Sequence, residues 1–544
     1  MPDPACGSGR ALWLLLCALL VVSLLAPAAG ALEISTKAIK VAGSNTYNPH
    51  TVQTYAGEVE GGPPAFDGQG MAIAVLDTGV DDQHPALQGS WVAGAELRPA
   101  AECPGESACW RERDPIDPNK MWNPDDLNGH GTHVASIALG RGASSETPGG
   151  QSLHAGVAPG ASMVEVKIAN DLGGASLQDI AEGIRWVIRY NKGETQYGPP
   201  DPPVKVISLS MGTVSPKNGE QAKDRDVAMT AISEAWDAGI LTVVSAGNCG
   251  PGDDSSVSVG CDPRASGQER NTITSPGAAP EALTVGATDD RGTVTRNEDH
   301  VAGYSSRGPN PATSKTDTKW RKPDVVAPGT NIAAACYSAT DQQGQRDAVC
   351  TKSGTSMAAP HVAGVAAILF QAGEVVNPSI GFTAQEVKDL ITGTSEDWEA
   401  PGWDAVSGYG YVDAYAALVK AVNRPPKAAF TLSPGEPEIG QEVTFDASAS
   451  EDPDDQDRIT RFLWDFGDGS EPVETSGENR VVHHVYQETG HYTVTLTVED
   501  ARATTATTSR TIQVVEPPPE SPGEPPEAQF TWSPEFPRVH EEIT

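Results

Sequence analysis

The chain has 544 residues, with 37 Lys and Arg against 73 Asp and Glu, a formal charge of −36. That length sets a prior of three or four domains and is ample for a large buried core. The acidity excludes nucleic acid as the main partner and argues against anionic membrane surfaces, because phosphate binding needs basic surface. It suits a highly soluble protein in salty or calcium-bearing surroundings.

Residues 1–30 read as a signal peptide. Arg10 precedes an almost unbroken apolar run from Ala11 to Leu25, and small residues follow from Ala26 to Ala31. The run is short for a bilayer span, so cleavage near residues 28–31 and secretion to the extracellular space are expected. No later stretch is long and apolar enough for a membrane helix, so no span is expected after signal removal. Beyond Cys6 and Cys17 six cysteines remain: Cys103, Cys109, Cys249, Cys261, Cys336 and Cys350. An even count in a secreted chain points to disulfides. The six fall into three close pairs, and nearest-neighbour pairing is one of fifteen connectivities. No Cys-x-x-Cys spacing supports zinc.

Residues 31–423 alternate apolar runs with helical patterns. Strands are predicted over Met71–Leu76, Met163–Ile168, Val204–Leu209 and Ile240–Ser245, and helices from Gly131, over Leu177–Tyr190 and over Ala228–Ala238. Such alternation predicts an α/β fold, a mostly parallel sheet flanked by helices. At Asn423-Arg424-Pro425-Pro426 the texture changes. Residues 424–516 carry short alternating runs such as Val494-Thr495-Leu496-Thr497-Val498, which predict an all-β sandwich. A Pro-rich acidic linker occupies 517–526. After it Ala428-Ala429-Phe430-Thr431 returns as Ala528-Gln529-Phe530-Thr531, and Gln441-Glu442-Val443-Thr444 as Glu541-Glu542-Ile543-Thr544, both at an offset of 100 residues. This is an internal repeat. The second copy, 527–544, is too short for a sandwich core, so the sequence is expected to be a fragment of a longer protein or a truncated reading of its gene.

Three segments carry chemistry. Ala74-Val75-Leu76-Asp77-Thr78-Gly79 puts an acid at the end of a buried strand. Asn128-Gly129-His130-Gly131-Thr132-His133 puts an imidazole where glycines let the chain turn into a helix. Ser353-Gly354-Thr355-Ser356-Met357-Ala358 opens an apolar helix with a small, Gly-flanked Ser. Taken singly, the Asp caps a turn and the Ser caps a helix. The two histidines at i, i+3 lack the Glu of the zinc-protease helix. All three together, in the order Asp, His, Ser, form a set that chance does not supply.

The segments resemble the subtilisin-like serine proteases (subtilases), whose triad follows that order. The resemblance covers roughly residues 45 to 420. Ser210-Met211-Gly212, Ser245-Ala246-Gly247-Asn248 and Lys322-Pro323-Asp324-Val325-Val326-Ala327-Pro328-Gly329 add to it. The Ser-Glu-Asp carboxyl proteinases fit less well, lacking the His-Gly-Thr-His segment. The resemblance implies Ser356 as nucleophile, His130 as its base and Asp77 as the group orienting the imidazole. It implies Asn248 as oxyanion donor together with the Ser356 N–H. Substrate would add as a strand along Ser210, Met211 and Gly212. Its P1 side chain would enter a pocket lined by Ser245, Ala246, Gly247 and the neighbourhood of Thr274, with an apolar or aromatic preference. His133 and His361 read as structural.

No cofactor is needed for that chemistry; structural calcium is possible. The family's His-Pro-Asp-Leu stands here as His84-Pro85-Ala86-Leu87, which puts its calcium ligand in doubt. The insert from Arg111 offers Asp114, Asp117, Asn119, Asp125 and Asp126, as calcium ligands or as a solvated loop. Secreted subtilases usually carry a folding pro-domain, yet only about 47 residues separate residue 30 from Asp77; either folding needs none, or the start is incomplete, or Thr36 to Glu58 holds a minimal one. Disulfides at Cys249 and Cys350 would pin the oxyanion and nucleophile loops, or simply staple inserted loops.

Phe462-Leu463-Trp464-Asp465-Phe466-Gly467-Asp468-Gly469 resembles the PKD domain, an Ig-like sandwich, and 527–544 resembles the start of a second one. Trp464 and Phe466 are expected in its core. The domain acts as a spacer, or binds an extracellular protein or polysaccharide. The function expected is a secreted endopeptidase acting on proteins or peptides through an acyl-enzyme. An exo-acting peptidase and an adhesion protein are the alternatives.

Overall fold

The computed structural model describes residues 66–99, 102–103, 108–112, 126–141, 155–213, 226–251, 272–289, 299–308, 318–337, 349–453, 458–501 and 503–519, with two short strands and a few single positions besides. The signal segment, Asp114 to Asp125, Cys261 and nearly all of the repeat after the linker lie outside them. The chain divides into two compact units, Met1–Asn423 and Arg424–Thr544.

In the first unit, β1 (Lys40–Val41) pairs with β2 (Val52–Gln53). There follow β3 (Ala72–Asp77), β4 (Trp91–Pro99), β5 (Ala108–Glu112), α1 (His130–Leu139), β6 (Ser162–Lys167), α2 (Leu177–Asn191), β7 (Val204–Leu209), α3 (Val227–Asp237) and β8 (Leu241–Ser245). Then come β9 (Leu283–Asp289), β10 (His300–Val301), β11 (Val325–Pro328), β12 (Ile332–Ala335), β13 (Val349–Lys352), α4 (Thr355–Val376), α5 (Ala384–Thr394) and α6 (Ala414–Val422). The main sheet runs β10-β9-β8-β7-β3-β6-β4-β5, and β11 also pairs with β9. Among the described residues of this sheet, only β5 and β10 are antiparallel to their neighbours. The strand predicted from Met71 runs one residue later and that from Met163 one residue earlier. The ladder pairs Ala72 with Ser162 and Asp77 with Lys167, and an apolar run does not mark where such a ladder begins.

Side chains alternate across a strand. Ile73 and Val75 of β3 face one core with α1 and α4, while Ala72, Ala74 and Leu76 face a second with α2 and α3. Both faces are covered, so every residue of β3 is buried, and the strand reads as a continuous apolar run. Helix α2 starts at a capping box, Ser176 with Asp179. Helix α4 has the length and composition of a membrane span, but 83% of its apolar window is buried within the unit. It is the central helix of the first core.

One charged cluster lies inside. Lys322 is fully buried and donates to Asp324 Oδ2 and to Ala282 O, both at 2.6 Å. Lys388 of α5 stands 3.3 Å from Asp324 Oδ1 and also donates to Ala282 O, at 2.6 Å. Thr284 N donates to Asp324 Oδ2 at 2.7 Å. The cluster ties β9, β11 and α5 together. Burial pulls Lys322 below its ordinary value. Burial opposes the Asp324 charge too, but Lys322 and Lys388 outweigh it and hold the carboxyl below its usual range.

The second unit contains β14 (Thr431–Ser433), β15 (Glu442–Asp446), β16 (Ile459–Asp465), β17 (Val473–Ser476), β18 (Val481–Val485), β19 (Gly490–Asp500) and β20 (Thr505–Val514). Sheets β14-β15-β18 and β17-β16-β19-β20 enclose one core. Phe462 and Trp464 alternate inward from β16 and meet Phe445 of β15. Phe466 is buried, stacks on His484 at 4.0 Å, and its carbonyl accepts from the Tyr486 hydroxyl. His484 Nε2 lies 2.7 Å from Asp468 Oδ2. The Trp-Asp-Phe-Gly-Asp-Gly run is thus core plus turn.

Asp324→Asn leaves the buried Lys322 and the partly buried Lys388 without their counter-charge. Urea unfolding at neutral pH is expected to show a loss of about 3–5 kcal/mol. A carboxyl held below its ordinary value of 3.8 stabilises the fold above that value and loses the contribution as pH falls through the folded pKa. The gap between parent and variant therefore narrows in acid, and equal midpoints at neutral pH would refute the role.

Candidate active site

The parallel strands end on a common edge, and β3 lies between β6 and β7, where connections leave in opposite directions. Sites in such sheets form outside the carboxyl ends at that crevice. Asp77 is the last residue of β3, Ser210 follows β7, and Ser245 ends β8. His130 opens α1 and Ser356 is the second residue of α4.

Asp77 Oδ1 lies 2.7 Å from His130 Nδ1 and accepts the Thr78 N–H at 2.8 Å. Its Oδ2 is buried without a hydrogen bond among the described residues. The His130 side chain is 24% exposed, so one edge of the ring faces out. Burial resists its protonation. The Asp77 charge and hydrogen bond, helped by Asp126, outweigh burial and the opposing charge of Lys352, and the His130 pKa is raised.

Asp126 positions this pair. Fully buried, it accepts from Thr78 Oγ1 at 2.6 Å and Gly129 N at 2.8 Å on Oδ1, and from Thr132 N and Thr132 Oγ1 at 2.8 and 2.7 Å on Oδ2. Thr78 Oγ1 in turn accepts the Gly131 N–H at 2.9 Å. Gly129, the residue preceding α1, has φ 79 and no side chain with which to cap the helix, so Asp126 supplies the capping oxygens. A Cβ on Gly131 would fall 2.0 Å from Gly79 O; only glycine lets α1 approach β3 this closely. Asp126, offered by the sequence as a calcium ligand or part of a solvated loop, instead spends its carboxylate on backbone and hydroxyl donors.

Ser356 is held by Ser210 in both directions. Ser356 Oγ donates to Ser210 O, and Ser210 Oγ donates to Ser356 O, each at 2.9 Å. The second bond has a sequence cause. Pro360 lies four residues along α4 and has no N–H to give to the Ser356 carbonyl. No hydrogen bond joins Ser356 to His130 in this arrangement. Asn248 Oδ1 accepts from Thr355 N at 2.9 Å and Thr355 Oγ1 at 3.0 Å, which turns its Nδ2 away from Thr355. Gly247 N donates to Thr355 Oγ1 at 3.1 Å. The Ser356 N–H belongs to the first turn of α4, where donors lack intrahelical acceptors.

Of the other residues singled out in the sequence, Ser210, Ser245 and Ala246 are buried, while Met211, Gly212 and Gly247 reach the surface. Thr274 lies between the two segments. A Cβ on Gly212 would fall 2.7 Å from its Oγ1 and one on Gly247 2.5 Å from its Cγ2, so the Thr274 side chain fills the space between them. His133 Nε2 lies 3.1 Å from Ile332 O and 3.2 Å from Cys350 O, and burial lowers its pKa to about 3. His361 Nδ1 donates to Met357 O at 2.8 Å, and burial lowers it to about 4. Cys103 is joined to Cys109, and Cys336 to Cys350. Cys249 is also disulfide-bonded. Among the described residues no group of three His, Cys, Asp or Glu is placed to hold a metal.

The fold and this edge define a class: a parallel α/β protein with an acid–imidazole pair and a helix-opening serine at the carboxyl ends of its strands. Residues 68–410 match the Subtilase family, and residues 423–515 the PKD domain. The chain belongs to the subtilase family. It is 35% identical over 355 residues to Serine protease AprX of Bacillus subtilis (strain 168), covering 64% of this chain and 66% of AprX. It is 30% identical over 332 residues to Subtilisin-like protease PopC of Myxococcus xanthus (strain DK1622), covering 60% of this chain and 55% of PopC. The match thus spans less than two thirds of either relative. The solved structure of Sphericase is 27% identical with a TM-score of 0.46, covering 64% of this chain and 92% of that one.

Asp77→Asn removes the charge that holds the His130 pKa up and leaves the burial that pulls it down. NMR titration of the His130 ring is expected to place the parent above 6.5 and the variant clearly lower. An unmoved titration would show that Asp77 does not set the imidazole.

Proposed function

We propose that this chain is a secreted serine endopeptidase that cuts protein or peptide substrates through an acyl-enzyme. One observation carries the reading. Asp77–His130 and a Ser356 that opens a buried helix beside a locked Asn248 meet at one edge of a parallel sheet.

In the proposed reaction Ser356 Oγ leaves Ser210 O, gives its proton to His130 Nε2 and attacks the scissile carbonyl. Asp77 keeps the Nδ1 proton in place and stabilises the imidazolium. Asn248 Nδ2 and the Ser356 N–H receive the developing oxyanion; both are oriented before substrate arrives, so little reorganisation is needed. His130 then protonates the leaving amine, and water releases the acyl group by the same path. Substrate pairs along Ser210, Met211 and Gly212. Its P1 side chain enters between that segment and Ser245, Ala246 and Gly247, over a floor made by Thr274. The site needs no cofactor; any calcium is structural.

Secretion is supported by the apolar segment 11–25 and the disulfides. Residues 31–423 form the peptidase domain. The PKD sandwich of 424–516 serves as a spacer or as a module that holds the enzyme on its substrate or surface. The Pro-rich stretch 517–526 links it to the start of a second PKD domain at 527–544.

Two measurements test the reading. Intact mass after fluorophosphonate treatment is expected to show one adduct on the parent and none on Ser356→Ala; no adduct on folded parent protein would overturn it. Asn248→Ala is expected to lower kcat about 10²–10³-fold with little change in KM, whereas a loss confined to KM would take Asn248 out of the oxyanion role.

A further inference from the structure

Lys352 is the last residue of β13, four positions before Ser356. It is half-buried, and among the described residues its amine makes no hydrogen bond or ion pair. In a chain of charge −36, an amine left unpaired beside the site is out of pattern, because desolvating a cation is unfavourable unless a partner compensates it.

Its position is fixed. The ladder sets Lys352 opposite Ile332 of β12, and the Ile332 carbonyl lies 3.1 Å from Nε2 of His133, three residues after His130 on α1. The Cys336–Cys350 disulfide closes the ribbon. Just past Lys352, Ser353 Oγ accepts from Asn331 N at 2.9 Å and Gly354 N donates to Gly329 O at 2.8 Å. The groups that feel the Lys352 charge are His130, His133, Asp77 and Asp126. The two carboxylates among them are already engaged, Asp77 by His130 and Thr78, Asp126 by Thr78, Gly129 and Thr132. Lys352 thus stands on the ribbon that packs against the imidazole's helix, through Ile332 and His133.

Resting on the peptidase reading above, we propose that Lys352 is a specificity-determining residue that receives an acidic side chain from the leaving half of the substrate, at the first or second residue after the scissile bond. The departing amine must come to His130 for its proton, so that half passes the imidazole and the lysine with it. A carboxylate there gives Lys352 its first ion pair in a partly desolvated setting, where charge-assisted hydrogen bonds are strong. The protein's overall negative field opposes acidic peptides at long range, so discrimination arises at contact rather than in steering.

The test uses the full chain and internally quenched peptides that differ only by Glu, Gln or Lys at each of the first two positions after the cleaved bond, with products identified by mass. The parent is expected to favour Glu over Gln about tenfold in kcat/KM at one of them. The Glu/Gln ratio is expected to fall to about one in Lys352→Met, to persist in Lys352→Arg and to give way to a preference for Lys in Lys352→Glu. A parent ratio of one, or a ratio that Lys352→Met leaves unchanged, overturns the proposal while the peptidase reading stands. Failure of folded parent to cut any peptide overturns both.

Discussion

The site depends on one buried carboxylate. Asp126 accepts four hydrogen bonds and reaches no solvent. Through Thr78 it grips the residue after Asp77, and through Gly129 and Thr132 it grips the first turn of α1. The Asp77–His130 distance is therefore set by a third residue that touches neither. Burying a lone carboxylate is costly, and hydrogen bonds to a charged group are worth about 1.5–3 kcal/mol each. Four of them, at a helix N-terminus whose dipole favours negative charge, make the burial tolerable. Weakening this hub would leave both partners present and their geometry undefined.

The serine is held by a complementary device. Pro360 costs α4 a hydrogen bond in an otherwise apolar helix. The carbonyl it frees belongs to Ser356, and the Ser210 hydroxyl takes it. A local defect thereby becomes a tie between α4 and the end of β7. Thr355 does the same for the Gly247–Asn248 turn, since its N–H and hydroxyl both fix the Asn248 amide. The His130 and Ser356 ends of the site sit on different helices of one core, which keeps them in register without a direct bond between them.

Much of this was legible in the sequence, for identifiable reasons. Strands buried on both faces leave continuous apolar runs, so Ala72–Asp77 and Val204–Leu209 were visible. Asp77, His130, Asn248 and Ser356 stand in motifs long enough to be seen together. Strands β4 and β5 were not: Trp91–Pro99 and Ala108–Glu112 mix Arg and Glu with small residues and lie toward the sheet edge. The structural role of Asp126 was not legible, because its acidic neighbours give it the look of a loop residue. Its signal was the spacing, an acid three residues before a Gly that cannot cap its own helix. Lys352 carried no signal at all, since a lysine ending a strand ordinarily reaches solvent.

The placement of charge separates what holds the fold from what remains available to a substrate. Inside the first unit, Asp324 is matched by Lys322 and Lys388, and Asp126 by backbone and hydroxyl donors. Both arrangements are closed, with each polar group answering another. On the Ser210 and Asn248 side, the Ser356 hydroxyl and carbonyl and the Asn248 Oδ1 are likewise engaged. Lys352 is open, on a ribbon closed by a disulfide and pinned at Ser353 and Gly354. A flexible lysine in water would find a counter-ion at no cost and discriminate little. A lysine held beside a buried acid–imidazole pair, its neighbouring carboxylates already committed, can gain most from a charge that arrives with the substrate.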